Sequence, residues 1–403
     1  MTSSPSTIEP TKLFDYSVQT FLVGDEIALR PVVKEDAPFT ASWRGSLYPR
    51  SPSNTETWIE KKIGGDAGNP YVIVRKSDGR PVGLYGTEAA FPAVWNHVFI
   101  DPLFATQELA WTIEAWRLIV PWQIGEKSTI ILRQVVPGDE TDLLAALVAD
   151  GWRESARYRD FLWSRQAATW VDRVVLEYLS PQWVALLGDP AEVPLERTGL
   201  GTPRPVPALV ATPEKVPPQA IMVGERVYLR PLNKADGVTI AEMTRKEPDP
   251  IWAIGRRLAY PVSYAGWTDK LQEKEPQEWV RFAVCLREND RLIGSMGLYG
   301  IDYLHGFAES ESEIYDPEYR GGGYGSEAKH LLFAYAFDRL GLHALKSWVI
   351  FQNTRSAAAL RKQGYVEAGR HHWAYPIDGG FGNAVVFTLH ADTWRALPRT
   401  SAE

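Results

Sequence analysis

The sequence predicts an α/β (α+β) chain made of two tandem copies of one fold. Three observations predict it. The first is self-similarity: VGDEIALRPVVKED at 23–36 matches VGERVYLRPLNKAD at 223–236, and WVDRVVLEYLSPQW at 170–183 mirrors FGNAVVFTLHADTW at 381–394. The second is the stretch between the copies, Gly188 to Gln219, which carries Pro190, Pro194, Pro203, Pro205, Pro207, Pro213, Pro217 and Pro218. Proline fixes φ and removes a donor, so this stretch reads as a semi-rigid, partly extended linker. The third is RGGGYGSEA at 320–328, a glycine-rich turn between a strand pattern and a helix pattern.

In chain order, residues 1–20 are Ser/Thr-rich without apolar periodicity and are expected to form a flexible extension. The first copy spans 21–187, the linker 188–219 and the second copy 220–397. GRPVG at 79–83 lies like DRLIG at 290–294, and Gly151-Trp152 sits where Gly364-Tyr365 sits. The spacing between matched segments stays in a narrow band, as a duplication with small loop changes requires. In the second copy, Glu309 to Tyr315 alternates acidic and small residues before Asp316-Pro317. Ala328, Leu331, Leu332, Tyr335 and Ala336 then recur at the period of an amphipathic helix.

A glycine-rich turn that opens a helix leaves backbone N–H groups unpaired and unshielded, at the positive end of the helix dipole. The expected ligand carries phosphate. Gly325 is followed by Ser326-Glu327, so the Gly-Lys-Ser/Thr of a nucleotide-hydrolysing loop is absent. The acidic residue of a dinucleotide fold is absent as well. What fits is Arg320, Gly323 and Gly325 in the pattern Arg-x-x-Gly-x-Gly. This resembles the coenzyme A pyrophosphate loop of the GNAT N-acetyltransferase superfamily. The stretch from Tyr315 to Arg370 is similar to its RimJ/RimL-type branch. The matching parts are Asp316-Pro317-Glu318-Tyr319, Ala336-Phe337, Leu340-Gly341-Leu342-His343, Asn353, Ser356 and Gly364-Tyr365. The resemblance implies that each copy is a mixed, mostly antiparallel twisted sheet flanked by helices.

It also implies a site. Tyr315, Arg320, Gly321, Gly322, Gly323, Tyr324, Gly325, Ser326 and Asn353 are expected to hold acetyl-CoA, the acyl-donor cosubstrate. A backbone N–H at or near Tyr315 would serve as oxyanion donor, and Ser356 would assist the leaving thiolate. The position where many members carry a tyrosine acid is Leu360. Trp252 and Tyr260, with Tyr264 and Trp267, fall where the superfamily builds substrate-facing helices.

The acceptor chemistry follows from charge. An alkyl ammonium costs about 4–5 kcal/mol to deprotonate at pH 7, a peptide α-amine only about 1. Alternate strand residues share a face, so Glu309, Glu311 and Glu313 can point one way. Glu309 is the expected base through a water, with Glu311 or Glu313 in reserve and attracting a cationic amine. A solvated acidic face is the competing reading.

The first copy has Ala105-Thr106-Gln107-Glu108-Leu109-Ala110 where the second has Arg320 to Gly325. Glu108 would face anionic oxygens; at about 4 Å and an effective dielectric near 20 that repulsion is about 4 kcal/mol. Glu140 and Leu143 replace Asn353 and Ser356, and Pro121 interrupts the following helix. The first copy is expected to have lost cofactor binding.

Composition sets bounds. Net charge is −7, which disfavours nucleic acid and fits a cationic substrate. Cys285 is the single cysteine, so no intrachain disulfide forms. No His lies at zinc-ligand spacing, so no metal is expected. No leader or membrane-length apolar run is found, and a cytoplasmic protein is the default. The reading is an acetyl-CoA-dependent N-acetyltransferase acting by direct transfer on a small-molecule amine or a peptide N-terminus. Another acyl-CoA donor such as succinyl-CoA, or a non-catalytic CoA-binding regulator, stays open. So does the choice between monomer and homodimer.

Overall fold

The computed structural model of the chain describes residues 21–39, 51–63, 70–164, 167–193, 202–207, 216–246, 277–377 and 379–400. The expected extension 1–20 and the aromatic residues Trp252, Tyr260, Tyr264 and Trp267 lie outside the described residues. Two compact units emerge. Unit 1 comprises Met1–Arg157, Val171–Val193 and His371–Asn383. Unit 2 comprises Tyr158–Trp170, Pro194–Arg370 and Ala384–Glu403. The boundaries drawn on the sequence were continuous; these are not, because each unit takes in a short segment from the other half of the chain. Among the described residues, no helix is long and apolar enough to cross a membrane.

Unit 1 contains β1 (Leu22–Val23), β2 (Ile27–Pro31), α1 (Pro52–Ile63), β3 (Tyr71–Arg75), β4 (Pro81–Ala90), β5 (Ala93–Ile100), α2 (Glu108–Pro121), β6 (Ile131–Pro137) and α3 (Thr141–Ala149). Then follow β7 (Arg153–Ser164), whose end belongs to unit 2, β8 (Thr169–Leu179) and α4 (Pro181–Leu187). Strands β1 to β5 pair antiparallel in sequence order. β5 pairs parallel with β6, over Ala93–Asn96 against Ile131–Gln134, and β6 pairs antiparallel with β8. Ile27, Leu29, Ile73, Trp116, Leu132 and Val174 form the core under α2.

A buried ion pair ties unit 1 to its segment His371–Asn383. Glu177 on β8 is fully buried and accepts from Arg133 Nε at 2.7 Å and His372 Nδ1 at 2.7 Å. Arg133 also donates to the His372 carbonyl. Burial alone would push the Glu177 carboxyl up; the Arg133 and His372 charges and hydrogen bonds reverse this and hold it below the usual carboxylate range. A lowered folded value stabilises above the unfolded range, near 4.3, and that stability is lost as pH falls through the folded value.

Unit 2 contains β9 (Met222–Val223), β10 (Val227–Pro231), α5 (Lys234–Arg245), β11 (Val280–Leu286), β12 (Leu292–Asp302), β13 (Phe307–Ile314), α6 (Tyr324–Ala334), β14 (Ala344–Ile350) and α7 (Thr354–Lys362). β15 (Val366–Ile377), which gives its end to unit 1, β16 (Gly380–His390) and α8 (Ala391–Arg395) complete the chain. β9 to β13 again pair antiparallel in order, β13 pairs parallel with β14, and β14 pairs antiparallel with β16.

The motif that repeats in the sequence has a physical meaning. Arg230, at the end of β10, reaches Asp236 in the first turn of α5 with two bonds of 2.6 and 2.8 Å, both groups largely buried. Arg30 and Asp36 do the same at 2.7 and 2.6 Å. A planar guanidinium matches a carboxylate bidentately, which sets where the chain leaves the strand.

The helix α6 departs from the amphipathic expectation. Glu327 to Ala334 are all buried, not one stripe of them. The outer side is covered by the chain terminus and a piece of the linker. Val206 is fully buried and bridges Arg399; its N–H donates to Pro398 O and its carbonyl accepts from Thr400 N. Trp394 donates its indole N–H to His330 Nδ1 at 3.1 Å. Burial, then the Arg399 charge, lowers His330 to about 4, so it accepts that bond as a neutral ring.

Two stability predictions follow from burial. Glu177→Ala should destabilise unit 1 by about 3–5 kcal/mol in urea unfolding, because it strands the Arg133 charge. Val206→Ala should cost about 2 kcal/mol, the transfer of two methyl groups plus a cavity; an unchanged midpoint would show that the linker strand contributes nothing to the fold.

Candidate active site

The site is built where β13 leaves β14. Their parallel pairing covers only Phe307–Glu309 against Ala344–Lys346, although both strands run on. Beyond Glu309 the two edges separate. Tyr315 N–H donates to Ile293 O at 2.9 Å, on the β12 side. Ladder alternation therefore turns the backbone groups of Ser312 and Ile314 to the β14 side, into the gap. Tyr315 itself is buried, with its hydroxyl 2.8 Å from Ser295 Oγ and 3.1 Å from Arg281 Nη2. Its own N–H is thus engaged, and the amides aimed at the gap belong to its neighbours.

Opposite faces of β13 carry different chemistry. Ala308 and Ser310 are buried towards the helices, Ala308 within the core. Ser310 Oγ lies 2.6 Å from Tyr365 OH. Burial first pushes the Tyr365 phenol up, so it stays protonated. Glu309, Glu311 and Glu313 share the other face. Glu309 binds Lys346 Nζ at 3.2 Å and accepts from Trp348 Nε1 at 2.9 Å. Glu311 meets Arg281 Nε at 3.2 Å and stays well exposed. None of the three carboxylates is merely solvated: each has a partner.

The glycine loop follows a short turn capped by Asp316, which accepts from Glu318 N. Arg320 donates Nε to Ile314 O at 2.8 Å and Nη2 to Tyr315 O at 3.0 Å, fastening the loop to the end of β13. Gly323 is the N-cap of α6 with φ 86°, a left-handed conformation that β-carbons disfavour. Among the described residues, the N–H groups of Gly321, Gly322, Gly323, Tyr324, Gly325 and Ser326 meet no acceptor. Such a run of amides at a helix start is a nest for an anion, so these residues fit a pyrophosphate. The Tyr324 ring lies under the Arg226 guanidinium, 4.5 Å away.

The loop is held from behind by Glu327. Its buried carboxylate accepts from Arg226 N at 2.7 Å, Val227 N at 3.2 Å and Arg226 Nε at 2.9 Å. Arg226 Nη1 in turn donates to Gly322 O. Gly224 is required here: a Cβ on it would stand 2.5 Å from Glu327 Oε1. At the far side of the gap, Asn353 caps α7 by accepting from Ser356 N at 3.0 Å. The Ser356 hydroxyl takes no partner among the described residues. Leu360 is buried in the core.

Sequence reasoning missed Lys329. It lies on α6, 1% exposed, with Nζ 3.4 Å from Ser312 Oγ. Burial lowers its ammonium to about 7, against the pull of Glu311 and Glu309. Its position at the second residue after Glu327 resembles any helical surface lysine in the sequence.

Unit 1 has the same frame with different side chains. Glu114 on α2 accepts from Glu26 N and Ile27 N, as Glu327 does from Arg226 and Val227. From that anchor α2 extends further back and is already helical at Glu108, so a helical turn replaces the glycine loop. Glu140 stands at the N-cap position of α3, as Asn353 does on α7, but makes no side-chain capping bond. Removal from water, then the charges of Glu108 and Asp139, push its carboxyl up. Trp95, His97 and Phe99 on β5 stand where β13 carries its three glutamates.

An Acetyltransferase (GNAT) domain matches residues 226–366. Over 156 residues the chain is 31% identical to the probable N-acetyltransferase YjcK of Bacillus subtilis (strain 168), covering 37% of this chain and 85% of that protein. It is 26% identical over 117 residues to the N-acetyltransferase YnaD of the same organism, covering 28% and 66%. A solved spermidine N-acetyltransferase from Vibrio cholerae, in complex with CoA and spermine, shares 21% identity at a TM-score of 0.36, covering 42% of this chain and 98% of that one. The protein is an acyltransferase. It belongs to the GNAT acetyltransferase family, whose members use acetyl-CoA.

The anchor makes a prediction. Glu327→Ala leaves the Arg226 and Val227 amides without their acceptor, and should cost about 1–3 kcal/mol in unfolding experiments.

Proposed function

We propose that unit 2 binds acetyl-CoA and transfers its acetyl group directly to a primary amine, and that the chain is a tandem duplication whose first copy binds no cofactor. The proposal places the chain in the RimJ/RimL-like branch and in the cytoplasm. The observation that carries it is the coincidence of the amide nest at Gly321–Ser326 with the gap between β13 and β14. Acetyl-CoA supplies an acyl thioester activated towards amines. The nest holds its pyrophosphate, and Asn353 and the gap-facing backbone of β13 hold its arm. An N–H of Ser312 or Ile314 takes the oxyanion role that the sequence assigned to the neighbourhood of Tyr315. Arg320 acts through its carbonyl bonds, by keeping the loop against the strand.

The acceptor approaches the acidic face. Glu309 serves as base, through a water, with Glu311 and Glu313 drawing in a cationic amine. The acceptor is a small-molecule amine or a peptide N-terminus. Roles for Trp252 and Tyr260 in the amine pocket belong to the same proposal. The first copy lacks the glycine loop, the cap at Asn353 and the three glutamates, which supports a non-binding scaffold.

Calorimetry with CoA should give one site per chain, and Gly323→Glu should abolish it. Two equivalent sites would sink the scaffold reading. Incubation with acetyl-CoA and a set of amines should release free thiol and yield an acetylated product by mass. Binding without turnover on any amine would favour a CoA-binding regulator. Glu309→Gln should slow transfer by about 10²-fold, most at low pH and for the most basic amines, with CoA affinity barely changed. Wild-type rates across pH 6–9 would pass the base role to Glu311 or Glu313.

A further inference from the structure

We propose that Ser312 and Lys329 form the proton relay that serves the thiolate leaving acetyl-CoA, an inference that rests on the cofactor reading above. Three observations carry it. First, Ser312 lies beyond the last parallel pair of β13 with β14, on the helix-facing side of the strand, and is exposed although it sits mid-strand. Its hydroxyl therefore opens on the gap. Second, Lys329 is buried under it and, among the described residues, touches no carboxylate, its Nζ within hydrogen-bond reach of Ser312 Oγ alone. A buried ammonium without a paired anion is costly, so a residue kept there solely for packing would be apolar. Third, unit 1 provides that comparison. Counting from the equivalent anchors Glu327 and Glu114, Lys329 corresponds to Trp116, a buried indole packed edge-on against Trp152 at 5.1 Å. Where the glycine loop is missing, the same helix position is apolar.

The electrostatics suit a proton donor. Glu309 and Glu311 face Lys329 through β13 and favour its charged form, while Lys346 of β14 and Arg281 of β11 hold those carboxylates in turn. The Phe333 ring, 5.9 Å away on the same helix, adds a cation–π contact. Burial opposes all of these, and the ammonium is left titrating near neutrality, where an acid catalyst works best. Leu360 supplies no tyrosine acid.

The step balances as follows. The acceptor nitrogen forms its bond to the acetyl carbonyl carbon, the carbon–sulfur bond breaks, and sulfur keeps the electron pair. Ser312 passes its hydroxyl proton to sulfur, and Lys329 replaces that proton and becomes neutral. The proton lost by the acceptor goes to Glu309 and solvent, and solvent recharges Lys329.

The test reads the bound thiol rather than turnover. The ultraviolet absorbance of CoA thiolate is followed against pH in the enzyme–CoA complex. In the wild type the thiol should ionise about one unit below free CoA, since the relay stabilises the thiolate. Ser312→Ala and Lys329→Met should abolish the shift, and Ser312→Thr should retain it. Calorimetric CoA affinity should change less than about threefold, because neither side chain belongs to the amide nest. In rate measurements, Lys329→Met should lose the alkaline limb of the pH profile. Ser312→Ala removes an exposed hydroxyl and keeps the proposal testable if Lys329→Met does not fold. A wild type that binds no CoA would overturn the cofactor reading and the relay together. CoA that binds while its thiol titrates as in free solution, or shifts equally in Ser312→Ala, would overturn the relay alone.

Discussion

The parallel pairing of β13 with β14 is the constraint on which the rest of unit 2 depends. Antiparallel neighbours can be joined by a short turn, but a parallel pair needs a crossover. That crossover is α6, and it must start beside the end of β13. The helix start, with its unpaired amides, is thereby delivered to the place where the strands part. Glu327 and Arg226 then fix the loop to the first strands of the sheet. The anion nest and the gap are thus two consequences of one topological choice.

Unit 1 shows what the topology alone accomplishes. It has the parallel pair β5 and β6, the crossover α2 and a carboxylate anchor on it, Glu114. Both crossovers even end in a π-helical turn, Trp122–Glu126 and Tyr335–Arg339. Its interior is filled differently. Asn96, Tyr85, Gln123 and Thr129 join in a buried hydrogen-bond chain, and Trp116 packs edge-on against Trp152. A satisfied polar network and edge-packed indoles stabilise a core.

Much of this could be read from the residues. The alternating Glu309, Glu311 and Glu313 share one face as period two requires, and RGGGYG opens a helix. Other features had no local signal. Lys329 follows the loop on a helix, where lysine normally marks solvent; only the strand laid over it makes it buried. The amphipathic stripe from Ala328 to Ala336 was a fair reading of period, but Val206 and Trp394 cover the opposite side from distant parts of the chain. The linker prolines suggested an extended path without showing that Val206 completes a core. Arg230 and Asp236 were visible as a repeat, yet their pairing emerges only once strand and helix meet.

On the mechanism proposed above, the two faces of β13 divide the labour of one reaction. Transfer to an amine needs a proton removed from the acceptor and one delivered to the leaving sulfur, and a single acid–base group would have to do both in turn. The carboxylates sit on one face, held by Arg281 and Lys346; the hydroxyl of Ser312 and the amine of Lys329 sit on the other. Glu309 and Glu311 raise the tendency of Lys329 to carry a proton, and burial limits it. On that mechanism the alternation of Glu and Ser along β13 has a purpose: its period sets the proposed base and the proposed acid on opposite faces of one sheet.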